Sequence, residues 1–148
     1  MEKMYVSFTS SDAYASHTGI ALLSLLENND AAQIETFIID LGITSKNKEK
    51  IRDIVQRYNS VVHFITLDEE KIREFLSERI PAHHGSLATY ARLCGTIVYP
   101  SYVDRIAFID SDMVVVGSLH DVYFQDMGEK IVAGVPEFKD VNYIASPK

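Results

Sequence analysis

Short apolar runs alternate along the chain with stretches whose apolar residues recur every three or four positions. "MYVSF" (4–8) predicts a strand, closed by the polar cluster "TSSD". Residues 14–27 then carry Tyr14, Ala21, Leu22, Leu25 and Leu26 as a helical stripe, with Asp12 or Ser11 placed to cap it. "IETFIIDLG" (34–42) predicts a second strand, closed by Gly42. Ile51, Ile54, Val55 and Tyr58 recur at helical spacing behind a cap at Thr44 or Ser45. "VVHFITL" (61–67) predicts a third strand. Two helices are expected next, over 68–80 with Ile72, Phe75, Leu76 and Ile80 inward, and over 86–98 with Leu87, Tyr90, Ala91, Cys94 and Val98 on one side. "DRIAFID" (104–110) predicts a fourth strand, with "MVVVG" (113–117) continuing extended. A short helix over 119–124 and a strand over 130–137 complete the pattern.

This β-α-β-α-β order predicts an α/β fold, a Rossmann-like and mostly parallel sheet with helices on both faces. No repeat or Pro/Gly linker divides residues 1–148, so they read as one unit. Ligands of such sheets bind beyond the carboxyl ends of the strands. That rule selects "TSSD", "DLG" and "DSD".

Composition narrows the function. The net charge is −7 and the isoelectric point about 5.1. Such an acidic chain repels phosphate backbones, so no nucleic-acid partner is expected. Cys94 is the single cysteine, which excludes an intrachain disulfide and fits a reducing compartment. It reads as a small core residue. The N-terminus lacks a basic-then-apolar leader, and "IALLSLL" (20–26) is too short to span a bilayer. A cytoplasmic protein without a transmembrane segment is expected.

The stretch "AFIDSDMVVVGS" (107–118) sets Asp110 and Asp112 into an otherwise apolar run. In an extended segment they would point to the same side, roughly 6–7 Å apart along the chain, with Ser111 facing away. Close carboxylates in a low-dielectric cleft resist ionising together, and a divalent cation removes that conflict. Carboxylate oxygens suit Mg²⁺ or Mn²⁺, and such an ion binds a diphosphate leaving group. A simple solvated turn is the competing reading, since Asp and Ser are ordinary turn formers. The immediate return to four apolar residues favours the cation.

Three stretches together resemble the N-terminal half of the family 8 glycosyltransferases. They are "YVSFTSSDAYASHTGIALLSL" (5–25), "GSLATYARLCGTIVYP" (85–100) and "DRIAFIDSDMVVVGSLHDVY" (104–123), in the family's order. The resemblance implies a GT-A fold and a retaining, metal-dependent hexosyltransferase. Its substrates would be a nucleotide-sugar donor, UDP-glucose or UDP-galactose, and a saccharide or glycan acceptor. By the same resemblance, Asp110 and Asp112 would bind Mn²⁺ or Mg²⁺, and Ser111 would lie beside the ribose. Thr9, Ser10 and Ser11 would border the nucleotide, Tyr14 the uracil, and Arg92 the donor sugar or diphosphate. His84 would lie towards the acceptor and Glu137 towards the sugar, while no catalytic nucleophile is assigned. Ser11 and Ala13 stand where uridine-specific relatives carry Asp and Asn, which weakens the case for uridine selectivity.

Family chains run to about twice this length, and their second half supplies a metal-completing His in a motif ending Lys-Pro-Trp. The 148 residues therefore read as an N-terminal nucleotide-sugar and metal-binding portion with little transfer activity of its own. Any peripheral membrane contact is expected from the C-terminal part. Two other functions compete. "DSDMV" also fits the D-x-D-x-[TV] string of haloacid-dehalogenase-like phosphohydrolases, with Asp110 as nucleophile and Asp112 as general acid. Only 36 residues follow Asp112, too few for the downstream motifs of that class. A non-catalytic nucleotide-sugar-binding module is the third reading.

Overall fold

The computed structural model describes residues 3–58, 60–67, 70, 74, 90 and 95–134. Among the described residues four parallel strands form one sheet in the order β3-β2-β1-β4. They are β1 (Lys3–Ser10), β2 (Gln33–Asp40), β3 (Val61–Thr66) and β4 (Ala107–Phe108). Helices α1 (Ala15–Glu27) and α2 (Ser45–Gln56) make the first two crossovers. Short helices α3 (Gly95–Val98) and α4 (His120–Tyr123) flank β4 in sequence.

Alternation on β1 and β2 decides what each face of the sheet covers. Met4, Val6, Phe8, Ile34 and Ile38 point to one side and pack with Leu22, Leu25 and Leu26 of α1 and Ile51 and Val55 of α2. All of these side chains are buried, each contributing about 1.5–3 kcal/mol through apolar burial. Tyr5, Ser7 and Phe37 point to the other side. There the Tyr99 hydroxyl, just beyond α3, donates to Ser7 Oγ (2.8 Å), and its ring packs edge-on against Phe37. The two faces are thus covered by different parts of the chain, as the alternation of elements predicts.

Strand register aligns the carboxyl ends. Ser10 pairs with Asp40, and Asp40 with Thr66. At the amino end, Glu35 is buried on β2. It accepts from Lys3 Nζ (2.8 Å) and the Tyr102 hydroxyl (2.7 Å), and lies 2.9 Å from His63 Nε2. Burial pushes this carboxyl up, but the hydrogen bonds from Lys3, Tyr102 and His63 outweigh it and hold the group below the ordinary carboxylate range.

Several expectations need correction. The fourth strand forms a ladder only over Ala107–Phe108, although the Ile109 amide still donates to the Ser7 carbonyl (3.0 Å). Residues 113–117 join no ladder. Val115 turns into the core, while Val114 and Val116 are exposed. The described part of the expected last strand, 130–134, is irregular. Tyr14 belongs to a 3-10 turn, Asp12–Tyr14, and is half exposed rather than part of the α1 stripe. The helices expected over 68–80 and 86–98 fall largely outside the described residues, as does Cys94. Their described members 70, 74, 90 and 95–98 are helical. No described helix is long and apolar enough to cross a membrane.

Candidate functional site

The chain runs from β1 outward to β2 and β3, then returns to place β4 on the other side of β1. The carboxyl ends of β1 and β4 therefore diverge around a topological switch point, where open α/β sheets form their binding crevice. Two short polar segments meet there, the loop after β1 and the turn after β4.

The turn is Asp110–Met113, closed by the Met113 amide donating to the Asp110 carbonyl (3.2 Å). The expected extended geometry is therefore replaced by a β-turn. Asp110 and Asp112 are both exposed, and Ser111 between them is buried. Ser111 Oγ donates to the Thr9 carbonyl (2.7 Å) and locks the turn onto the end of β1. The inward residue of the triplet is thus the serine, and Asp110 and Asp112 flank it as exposed residues beside the β1 end. The pair is not the buried like-charge conflict that the apolar run suggests.

Downstream, the carboxyl end of α1 holds the chain. The Val115 amide donates to Ser24 Oγ (2.9 Å), and Asn28 Nδ2 donates to the Val115 carbonyl (3.0 Å). Buried Asn29 accepts at Oδ1 from the Leu119 amide (2.7 Å) and donates at Nδ2 to the Leu25 carbonyl (2.8 Å). The four apolar residues after Asp112 therefore serve an anchor that puts Val115 in the core. Nothing in the local pattern around Ser24 or Asn29 announces this role.

The loop after β1 is held from inside and outside. Ser10 is buried, and its Oγ accepts from Thr18 Oγ1 (2.6 Å) while donating to the Ser11 carbonyl (3.2 Å). The Ser11 carbonyl also accepts from the Tyr14 amide (3.0 Å). Neither Ser11 nor Asp12 caps α1 through its side chain; the residue preceding that helix is Tyr14. Asp12 Oδ1 instead accepts from the Thr44 amide, Thr44 Oγ1 and Asn47 Nδ2, each at 2.8 Å. The Thr44 amide first, then its hydroxyl and Asn47, hold this carboxyl below its ordinary range. Thr44 caps α2 as expected, accepting from the Asn47 amide (3.4 Å). Tyr14 stands at the loop's far end, its ring tilted against His17 at a centroid distance of 5.5 Å.

The third strand end, after β2, is occupied by its own turn. Asp40 Oδ1 accepts from the Gly42 amide (2.9 Å) and the Ile43 amide (2.7 Å), and its other oxygen pairs with Lys48. Gly42 adopts φ +92°, the left-handed conformation that favours glycine. "DLG" is therefore a structural turn, which leaves the β1 and β4 ends as the candidate site.

Of the residues singled out by sequence, Thr9, Ser10, Ser11, Tyr14, Asp110, Ser111 and Asp112 lie along these two adjoining segments. Arg92, His84 and Glu137 lie outside the described residues. Thr9 Oγ1 is buried with no hydrogen-bond partner among the described residues. Asp12, Thr44 and Asn47 are the contributors that sequence reading missed as a group. The capping pattern marked Thr44, but no local signal links it to a residue 32 positions earlier.

A parallel sheet with helical crossovers and two polar loops at its switch point defines an α/β architecture of the GT-A glycosyltransferase type. Residues 5–147 match the model of "Glycosyl transferase family 8", and the chain belongs to that family. It is 24% identical to general stress protein A of Bacillus subtilis over 92% of this chain and 47% of that protein. It is 27% identical to the probable galacturonosyltransferase-like 4 of Arabidopsis thaliana over 96% of this chain and 40% of that one. Among solved structures it resembles the galactosyltransferase LgtC in complex with donor and acceptor sugar analogues. The TM-score is 0.67 at 24% identity, covering 84% of this chain and 44% of LgtC. The chain thus spans less than half the length of these relatives. The family match includes the D-x-D turn, which leaves the phosphohydrolase reading without support.

Proposed function

We propose that this chain forms the donor-binding portion of a retaining, metal-dependent glycosyltransferase. Its substrate would be a nucleotide sugar, UDP-glucose or UDP-galactose, whose hexose passes to a saccharide or glycan acceptor. The observation that carries this reading is the Ser111–Thr9 hydrogen bond, which fastens the D-x-D turn to the end of β1 at the switch point. Family membership and the sugar-transferring names of the relatives support the reaction class.

The residues present fit a divalent cation. Asp110 and Asp112 supply hard-oxygen donors from two exposed residues on a turn fixed by its own buried serine. No group of three metal-binding side chains occurs among the described residues. That is compatible with Mg²⁺ or Mn²⁺, which commonly take one or two carboxylates and complete their shell with substrate phosphates and water. When bound, the ion would offset charge on the departing nucleoside diphosphate. The chain's own residues have separate tasks. Ser111 holds the turn against the end of β1 and keeps the ribose-side role that the family resemblance implies, Ser10 shapes the loop from beneath, and Tyr14 offers an exposed ring for the base to stack on. Arg92, His84 and Glu137 keep the donor-sugar and acceptor roles that the family resemblance implies. A cytoplasmic setting belongs to the same proposal.

The test is donor binding followed by saturation-transfer NMR in Mg²⁺, comparing UDP-glucose, UDP-galactose and GDP-mannose. The UDP sugars are expected to give uracil, ribose and hexose signals, of which excess UDP abolishes the hexose ones. Equal signals from GDP-mannose would sink the uridine assignment. Silence from all three would sink the donor site.

A further inference from the structure

We propose, on the strength of the donor-site reading above, that Asp12 is a positioning residue that sets the Ser11–Tyr14 loop for the nucleotide by tying it to the amino end of α2. Three observations converge on it. Its position just before α1 suits a cap, yet its side chain makes no capping bond to that helix. Its Oδ1 instead gathers the Thr44 amide, the Thr44 hydroxyl and the Asn47 side-chain amide, all at 2.8 Å and all from a different crossover unit. Meanwhile the inner side of the same loop is fixed independently, through Thr18 and Ser10. A loop pinned at both sides has few conformations left, so the ordering cost of closing it on a ligand is already met in the free protein.

The charge on Asp12 strengthens the tie, since hydrogen bonds to an ionised acceptor are the stronger kind. Asn47 supplies one of the three bonds to Asp12 and so matters on this reading, although it sits on α2 and donates its amide to Asp12 rather than to the crevice. A direct ligand role for Asp12 makes the opposite forecast, because Asn47 would then be dispensable.

Calorimetry of UDP binding in Mn²⁺ separates the two, using the chain itself and the variants Asp12→Ala, Asn47→Ala, their double and Asp12→Asn. Asp12→Ala should weaken UDP binding about ten-fold and Asn47→Ala, which leaves both Thr44 bonds, about two- to three-fold, and the double should be no weaker than Asp12→Ala alone, the non-additivity expected of one shared interaction. Asp12→Asn keeps an acceptor oxygen and should recover most of the affinity. Amide hydrogen exchange at residues 11–14 without nucleotide should rise in Asp12→Ala and Asn47→Ala alike, a local readout that a general loss of stability would not confine to the loop. Wild-type affinity in Asn47→Ala, additive losses in the double, or Asp12→Asn as weak as Asp12→Ala would each overturn the positioning role. Failure of the unmodified chain to bind UDP would overturn the donor-site reading on which it stands, whatever the exchange data show.

Discussion

Thr36 is completely buried on β2, and its hydroxyl has no hydrogen-bond partner among the described residues. An unpaired buried hydroxyl costs about 1–3 kcal/mol by mutational measures. Replacing it with a methyl group of the same branching removes that cost. Thr36→Val should therefore raise the urea midpoint, by about 1 kcal/mol of stability; a lower midpoint would show that the hydroxyl is paired. Glu35 makes the opposite case, a buried carboxylate that is fully engaged. Its folded pKa lies below the unfolded value, so its contribution is present above the unfolded pKa of about 4.3 and is lost as pH falls through the lower folded value. Urea unfolding across about pH 6 to pH 3 should show stability falling with acid, and Glu35→Gln should flatten that part of the profile. An unchanged slope in the variant would remove Glu35 from the account of acid sensitivity. Neither residue was marked by the sequence, where Thr36 and Glu35 are polar interruptions in an apolar strand. Their partners, or lack of them, come from Lys3, His63 and Tyr102 at sequence distances no local pattern registers.

Elements were more legible than the tertiary bonds between them. The spacing of Ile51, Ile54 and Val55 and the cap at Thr44 identify α2 because both signals are local. The same logic misassigned Asp12, since a capping residue before a helix looks alike whichever helix it serves. The fourth strand is shorter than its apolar pattern for a related reason. Apolar residues at 106–109 and 113–116 read as continuous, but the Asp110–Met113 turn breaks them, and the later ones pack as an anchor on α1. Two glycines test the element-level physics with opposite signs. Gly19 lies inside α1, and a Cβ there would meet Ile54 Cδ1 at an ordinary 3.5 Å. Gly19→Ala should thus stabilise by about 0.8–1 kcal/mol through helix propensity. Gly42 has open space around it but φ +92°, so Gly42→Ala should destabilise by about 1 kcal/mol through backbone strain alone. Chemical denaturation of both variants reads the two effects, and like signs would refute the distinction.

For the whole molecule, alternation of elements predicted the parallel sheet correctly, because crossover chirality and short connections leave few other topologies. Strand order was not readable, yet it is the order β3-β2-β1-β4 that makes the β1 and β4 ends the site and leaves the β2 end a closed turn. The aspartate pair stands out in the sequence as a chemistry-bearing feature, but its surroundings are the reverse of what the apolar run suggests, with the serine buried and the two aspartates exposed. The central claim is that these carboxylates bind the nucleotide diphosphate through a shared divalent cation. Calorimetric titration of UDP with and without Mn²⁺, on the chain and on an Asp110→Asn/Asp112→Asn double variant of unchanged circular dichroism, tests it most directly. The account predicts that Mn²⁺ tightens UDP binding at least about ten-fold, worth about 1.4 kcal/mol, and that the double variant loses this increment. UDP binding indifferent to Mn²⁺, or an increment that survives both substitutions, would contradict it.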